Sequence, residues 1–285
     1  MCKLITVDLG SFNIKVNNGD DNIVLENRFM LDNNQETYGA ETITIEGNTY
    51  FFNKGSFDKE FSKAKKNIEV SLLYGLFKSG VTGDINLILH LPGNQMAQKD
   101  IIKDKLENKD FEYICNGKPN NIRIKKIGIL KEGFSSFYSL AKRKGLINVI
   151  DIGGRTTDIF SFNDGNLVAE KSIPIGTIEM FSEIADCLVG NGENRTAEDI
   201  KTLIDNEIID IKDYEDILKK YAESIANEAK VKIPNLNDGH NYITGGGAEY
   251  LVDYIKDHYK KVSEMQNKLF SNVIGAYNIG KAKKW

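Results

Sequence analysis

Residues 149–162, VIDIGGRTTDIFSF, constrain the fold of this chain more than any other stretch. Val149, Ile150 and Ile152 read as a buried strand that Asp151 interrupts. Gly153 and Gly154 follow as a tight turn, then Thr156, Thr157 and Asp158, then a second strand with Ile159, Phe160 and Phe162. A carboxylate among apolar neighbours is costly unless something pairs with it, so Asp151 calls for a partner such as a hydrated metal ion. The two glycines let backbone N–H groups approach a ligand closely, which suits a polyphosphate. Taken alone, the stretch is more simply a β-hairpin whose Asp starts the turn.

The same design recurs near the N-terminus. Leu4, Ile5 and Val7 form an apolar strand carrying Asp8, Gly10, Ser11, Phe12 and Asn13 make the turn, and Ile14, Lys15 and Val16 return. Two Asp-Gly hairpins of one design point to two similar halves gripping one ligand. A third glycine cluster, Gly245-Gly246-Gly247-Ala248, follows the strand Tyr242-Ile243-Thr244 and opens an expected helix over 249–259. A helix N-terminus meeting a glycine turn favours a phosphate or the ribose end of a nucleotide.

These three segments, in this order, resemble the phosphate 1, phosphate 2 and adenosine motifs of the actin-like ATPase superfamily, which includes actin, Hsp70, sugar kinases and the bacterial actins. The resemblance implies an α/β fold of two actin-like (ribonuclease H-like) domains, with a nucleotide cleft between them and a small α+β insertion in the first. Placed by the motifs, domain I covers 1–145 with the insertion at about 22–66 as subdomain IB. Domain II covers 146–270, and 271–285 is a helix returning to domain I. No linker-like composition marks the boundary.

The resemblance also assigns roles. Backbone groups of Gly10, Ser11, Phe12 and Asn13 and of Gly153, Gly154, Arg155, Thr156 and Thr157 would wrap the β- and γ-phosphates of ATP. Asp8 and Asp151 would hold Mg²⁺, largely through water. Lys15 would bring its ammonium to the phosphates, with a solvent-facing lysine as the rival reading. Plasmid-type bacterial actins place a Glu that orients the attacking water where Glu132 stands; an acid at a helix start is also simply favourable with the dipole. Thr157 and Asp158 would bracket the γ-phosphate region, directly or through neighbours. Gly245, Gly246, Gly247 and Ala248 would carry the ribose and base. Lys201 is the base contact by similarity to an actin helix, although an exposed, solvated lysine accounts for it as well.

The rest of the chain supplies scaffold. Short β-like pieces occupy 23–25, 41–45 and 48–52, and helical spacing covers 63–78. An almost continuously apolar strand at 84–92 carries His90, read as a hydrogen-bonded core histidine. A hairpin turns at Gly117, a short strand ends at Leu130, and a helix carries Phe134, Phe137, Tyr138 and Leu140. Helices are expected at 177–189, from a Thr196 cap with Asp199, at 214–231 and at 271–280. In the last of these, Gly275 and Ala276 permit close packing. The basic tail ending in Trp285 is read as a frayed end by default.

At 285 residues the chain can bury a large core, and its 41% hydrophobic and 27% charged content is ordinary for a globular protein. A net charge of −4 argues against direct DNA binding, and no apolar run spans a bilayer. Three widely spaced cysteines fit reduced thiols of a cytoplasmic protein, and three histidines argue against a zinc site. Within the superfamily the compact length is most like the plasmid-segregating ParM and Alp-type actins. That implies an ATPase that polymerises with itself and moves plasmid DNA through a DNA-binding adaptor, without a membrane. The alternatives are a monomeric small-molecule kinase and a non-polymerising ATP-binding regulator.

Overall fold

The structure is a computed structural model that describes residues 2–32, 39–57, 60, 62–190 and 192–285. It divides into two compact units, one formed by Met1–Ser139 with Asn272–Trp285 and the other by Leu140–Ser271.

The first unit is built on strands β1 (Lys3–Leu9), β2 (Asn13–Asn17), β3 (Asn22–Glu26), β4 (Arg28–Leu31), β5 (Thr42–Ile45) and β6 (Asn48–Phe57), helix α1 (Ile68–Lys78), β7 (Gly83–Leu91), α2 (Lys99–Leu106), β8 (Lys109–Cys115) and β9 (Lys118–Lys131). Its strands make one nine-stranded sheet in the order β3-β2-β1-β7-β9-β8-β5-β6-β4. The apolar reading of β7 holds: Ile85, Leu87, Ile88, Leu89 and Leu91 are all buried, as a central strand covered on both faces requires. Gly75 of α1 seats that helix on the sheet, where a Cβ would lie 2.9 Å from the Ile14 side chain. The expected early β-like pieces are strands, joined by β4. They are continuous with the main sheet because β5 pairs with β8. Phe52 of β6 stacks on Tyr74 of α1 with ring centroids 3.5 Å apart.

Several local expectations need correction. The helix expected over 63–78 begins only at Ile68, because 62–66 is a turn in which the Lys65 N–H donates to Ser62 O at 3.0 Å. The second hairpin strand and the short strand ending at Leu130 are one long strand, β9, paired along its length first with β8 and then with β7. The helix expected beyond it is a single 3₁₀ turn, Ser135–Ser139. The C-terminal helix Ser271–Ala282 packs directly against that turn: a Cβ on Gly275 would sit 1.7 Å from Ser135 O, so only glycine fits. The tail is packed as well. Trp285 lies on Gly128, with the Lys126 ammonium 4.1 Å from its ring centroid.

The second unit contains β10 (Leu146–Ile152), β11 (Thr157–Asn163), β12 (Asn166–Ile173), α3 (Thr177–Gly190), α4 (Ala197–Asp205), α5 (Glu215–Lys232), β13 (His240–Thr244), α6 (Ala248–Ile255) and β14 (Val262–Glu264). The sheet order is β12-β11-β10-β13-β14. The Thr196–Asp199 pair makes a full capping box at the start of α4. The polar break before it includes residue 191, outside the described residues.

The two sheets share one pairing scheme. In each, a three-stranded antiparallel meander is followed by two strands running parallel to its first strand: β3-β2-β1 with β7 and β9, and β12-β11-β10 with β13 and β14. Among the described residues, no helix is long and apolar enough to cross a membrane.

Candidate functional site

The equivalence of the two sheets extends to their first hairpins. In the first unit, Leu4, Ile5, Val7 and Leu9 bury β1 and carry Asp8 in with them. Asp8 stands in register with Lys15 on β2. The connecting turn is closed by the Gly10 N–H donating to Asn13 O at 2.9 Å. In the second unit, Asp151 stands in register with Asp158, and the Gly153 N–H donates to Thr156 O at 2.8 Å. A Cβ on Gly10 or Gly153 would lie 3.1 or 3.0 Å from the carbonyl oxygen that closes its turn.

Around Asp8 the first unit assembles a buried charge cluster. Lys15 Nζ donates to Asp8 Oδ2 at 3.2 Å, so Lys15 is a largely shielded partner of the acid and its solvent-facing reading falls. Lys63 Nζ donates to Glu132 Oε1 and, at 3.2 Å, to His90 O, and lies 3.8 Å from Asp8 Oδ1. Asp8 Oδ1 is buried and accepts no hydrogen bond. Burial alone would raise the Asp8 carboxyl, but the Lys15 and Lys63 ammonium groups, with His90, hold it well below the usual carboxylate range. Burial raises the Glu132 carboxyl, Lys63 opposes that, and the Asp8 charge adds to it.

Glu132 leaves the end of β9, its N–H donating to Leu91 O at 2.9 Å, and Gly133 then turns the chain at φ 75°. That turn is fixed by Asn272 of the C-terminal helix, whose Oδ1 accepts from Gly133 N–H at 2.9 Å and Ser136 Oγ at 2.8 Å. His90 is the core histidine expected, with Nδ1 3.2 Å from Val7 O and Nε2 2.9 Å from Ser135 Oγ. The turn after β1 is also tied down. Asn27 Nδ2 donates to Gly10 O at 2.7 Å, and Phe12 packs edge-on against Phe57 with centroids 4.9 Å apart. The backbone of Phe12, and not its ring, is therefore what the turn can offer a ligand.

In the second unit the two remaining glycine segments meet. Gly245, at φ +85°, comes so close to Asp151 that a Cβ would lie 2.3 Å from Oδ1. The Gly247 N–H donates to Ile152 O at 2.9 Å. Gly246 has open space at its Cβ position, and Ala248 is buried at the start of α6. The Gly153 and Gly154 carbonyls accept from Thr177 and Ile178 N–H at 3.1 and 2.8 Å, which fixes the turn on the first residues of α3. Thr156 Oγ1 donates to Asp158 Oδ2 at 3.0 Å, and Thr157 Oγ1 to Ile175 O at 2.8 Å. Ser11, Asn13 and Arg155 are half-buried at their turns. Lys201 on α4 is engaged in an ion pair with Asp205 at 2.5 Å. Asp205 is near enough to Tyr250 of α6 to help burial and Glu249 push that hydroxyl up.

No protein-family model matches the chain, and no curated protein matches it. Solved structures do. An archaeal actin homologue superposes with a TM-score of 0.83 at 17% identity, over 99% of this chain and 99% of the homologue. The fold is actin-like. The archaeal homologue is also known in complex with ADP, at the same TM-score of 0.83. A ParM from Clostridium botulinum, in a 15-stranded filament, matches with a TM-score of 0.80 at 19% identity, over 99% of this chain and all (100%) of that one. The AlfA filament of B. subtilis plasmid pLS32 matches at 0.70 and 17% identity, over 96% and 98% of the two chains.

Within this actin-like fold, the sequence-expected residues fall into two sets, one in each unit. Asp8, Gly10–Asn13, Lys15 and Glu132 lie in the first; Asp151, 153–157, 245–248 and Lys201 lie in the second. Sequence reasoning missed Lys63, Asn27 and Asn272. Lys63 sits in KAKK, where nothing distinguishes it from its neighbours. The asparagines act through contacts remote in sequence. Among the described residues no group of three or more His, Cys, Asp or Glu side chains is placed to hold a metal ion; what a cation would find is one hard donor, the buried Asp8 Oδ1, which accepts no hydrogen bond.

Proposed function

We propose that this chain is an ATP-hydrolysing actin homologue of the ParM and AlfA kind, which polymerises with nucleotide and serves plasmid DNA segregation in the cytoplasm through a DNA-binding adaptor. The observation that carries the reading is the repeated hairpin, with a buried Asp and a glycine-closed turn at the same place in two sheets that share a five-strand pairing scheme. The likeness to filament-forming ParM and AlfA chains, and to a homologue that binds ADP, supports it. In this reading domain I is 1–145 with the return helix 271–285, domain II is 146–270, and 22–66 forms the outer subdomain IB.

The residues then take these roles. Backbone N–H groups of Gly10–Asn13 and of 153–157 cradle the β- and γ-phosphates, and Lys15 supplies positive charge beside Asp8. Asp8 and Asp151 would hold Mg²⁺, which would neutralise charge on the phosphates when bound. The 245–248 turn receives the ribose, with Gly246 leaving room for it, and Lys201 lies at the base. Glu132 accepts a hydrogen bond from a water in line with the γ-phosphorus. As that oxygen bonds to phosphorus, the bond to the bridging oxygen breaks, ADP departs, and the water's proton ends on inorganic phosphate. Positioning and electrostatics do most of this work, so no side-chain nucleophile is required.

Light scattering with pelleting tests the reading. Polymer is expected on adding ATP and Mg²⁺, with disassembly as ADP accumulates; a chain that stays monomeric under all nucleotide conditions contradicts it. Asp151→Ala should lower turnover at least ~100-fold, the scale of losing one transition-state contact, while shifting the melting temperature little. Unchanged turnover removes Asp151 from the site.

A further inference from the structure

The buried cluster of the first unit holds one charged side chain for which neither hairpin gives a reason. Lys63 is only 8% exposed, and it arrives from a turn that belongs to neither β1 nor β9. That turn is anchored separately. The Lys63 N–H donates to Gln95 Oε1 at 2.8 Å, Ser62 Oγ to Gln98 Oε1 at 2.7 Å, and Lys105 Nζ to Ala64 O at 2.8 Å. The backbone is thus held in place from outside the cluster, and the side chain reaches in.

Its ammonium has a definite division of labour with Lys15. Lys15 bonds Asp8 Oδ2, whereas Lys63 bonds Glu132 Oε1 and His90 O and only approaches Asp8 Oδ1, at 3.8 Å. Glu132 has no other side-chain hydrogen bond among the described residues; its backbone is held by Leu91 O and by the Asn272-bound turn at Gly133, but its carboxylate is held by Lys63 alone. The orientation of the Glu132 carboxylate therefore depends on Lys63. Shielding two lysines and two carboxylates from water, with Asp8 and Lys63 buried, costs desolvation that an apolar cluster of the same volume would avoid, so stability alone is a poor reason for the arrangement. Concentrations of buried charge of this kind mark functional sites.

We propose that Lys63 is a positioning residue for hydrolysis: it aims the Glu132 carboxylate at the attacking water and ties it to the Asp8 side of the site. This rests on the nucleotide reading above. Without the ammonium, Glu132 swings among rotamers and no longer holds the water in line, which costs turnover and leaves nucleotide binding intact.

The test is ATP turnover, nucleotide affinity and polymer mass measured together on the wild-type chain and on Lys63→Met, Lys63→Arg, Glu132→Gln and the Lys63→Met/Glu132→Gln double variant. Lys63→Met is expected to lower kcat about 100-fold with nucleotide Kd within about three-fold of wild type. It should assemble with ATP and persist as polymer long after wild-type filaments have gone. The double variant should be no slower than the worse single one, because the two residues act as a unit. Lys63→Arg keeps the charge and should recover part of the rate. If Lys63→Met does not fold, Lys63→Arg carries the test, with kcat lowered about ten-fold at unchanged Kd. Lys63 variants that turn over at the wild-type rate, or losses that multiply in the double variant, overturn the proposal and leave the ATPase reading standing. A wild-type chain without turnover overturns both.

Discussion

Asp8, Lys15, Lys63, His90 and Glu132 show how a chain can keep charge inside an apolar sheet. Each carboxylate is matched to an ammonium, and the histidine stays neutral because burial pushes it down to about 4 from its ordinary 6.5. That neutral ring has a measurable consequence. Unfolded, it takes up a proton as pH falls through 6.5; folded, it resists until about 4. Its contribution to stability is full above 6.5 and is lost as pH falls through that window. Between pH 7 and pH 5 the wild-type chain should lose about 2 kcal/mol more unfolding free energy than His90→Gln. Urea titrations at the two pH values measure it, and equal losses in the two chains would show that the ring is already charged or solvated.

At the scale of elements, glycine decides where backbones can touch. Replacing Gly275 by Ala improves helix propensity by about 1 kcal/mol. The added methyl would also fall 1.7 Å from Ser135 O, a backbone atom that cannot rotate away. Overpacking of this kind costs about 1–3 kcal/mol, so the clash should win and Gly275→Ala should lower the urea midpoint with m unchanged. An equal or higher midpoint would mean that the helix is free to shift. The same comparison explains what could be read in advance. The hairpins of Asp8 and Asp151, the Thr196–Asp199 cap and the small residues of the last helix announce themselves, because their signals are local: period-two apolar runs, a glycine turn, a capping pair. The short 3₁₀ turn at 135–139 does not, since Phe134, Phe137 and Tyr138 have helical spacing and the helix is cut short by packing against Gly275 and bonding to Asn272. Lys63 and Asn27 were illegible for the same reason. A lysine among lysines and an asparagine between strands gain meaning only from Glu132 and Gly10, each distant along the chain.

At the scale of the whole molecule, one five-strand pairing scheme occurs twice, as part of the nine-stranded sheet and as the whole of the five-stranded one, and each copy places an acid and a glycine-closed turn at the end of its first strand. The match to archaeal, ParM and AlfA structures at 17–19% identity shows that the actin-like fold is shared at low sequence identity. In the function proposed above, both hairpins serve a single nucleotide with its cation. Calorimetric titration of ATP with Mg²⁺ into the wild-type, Asp8→Asn and Asp151→Asn chains tests that directly. One nucleotide per chain is expected, with weakened binding or lost heat in both variants. Two nucleotides per chain, or full wild-type binding after either substitution, would contradict it.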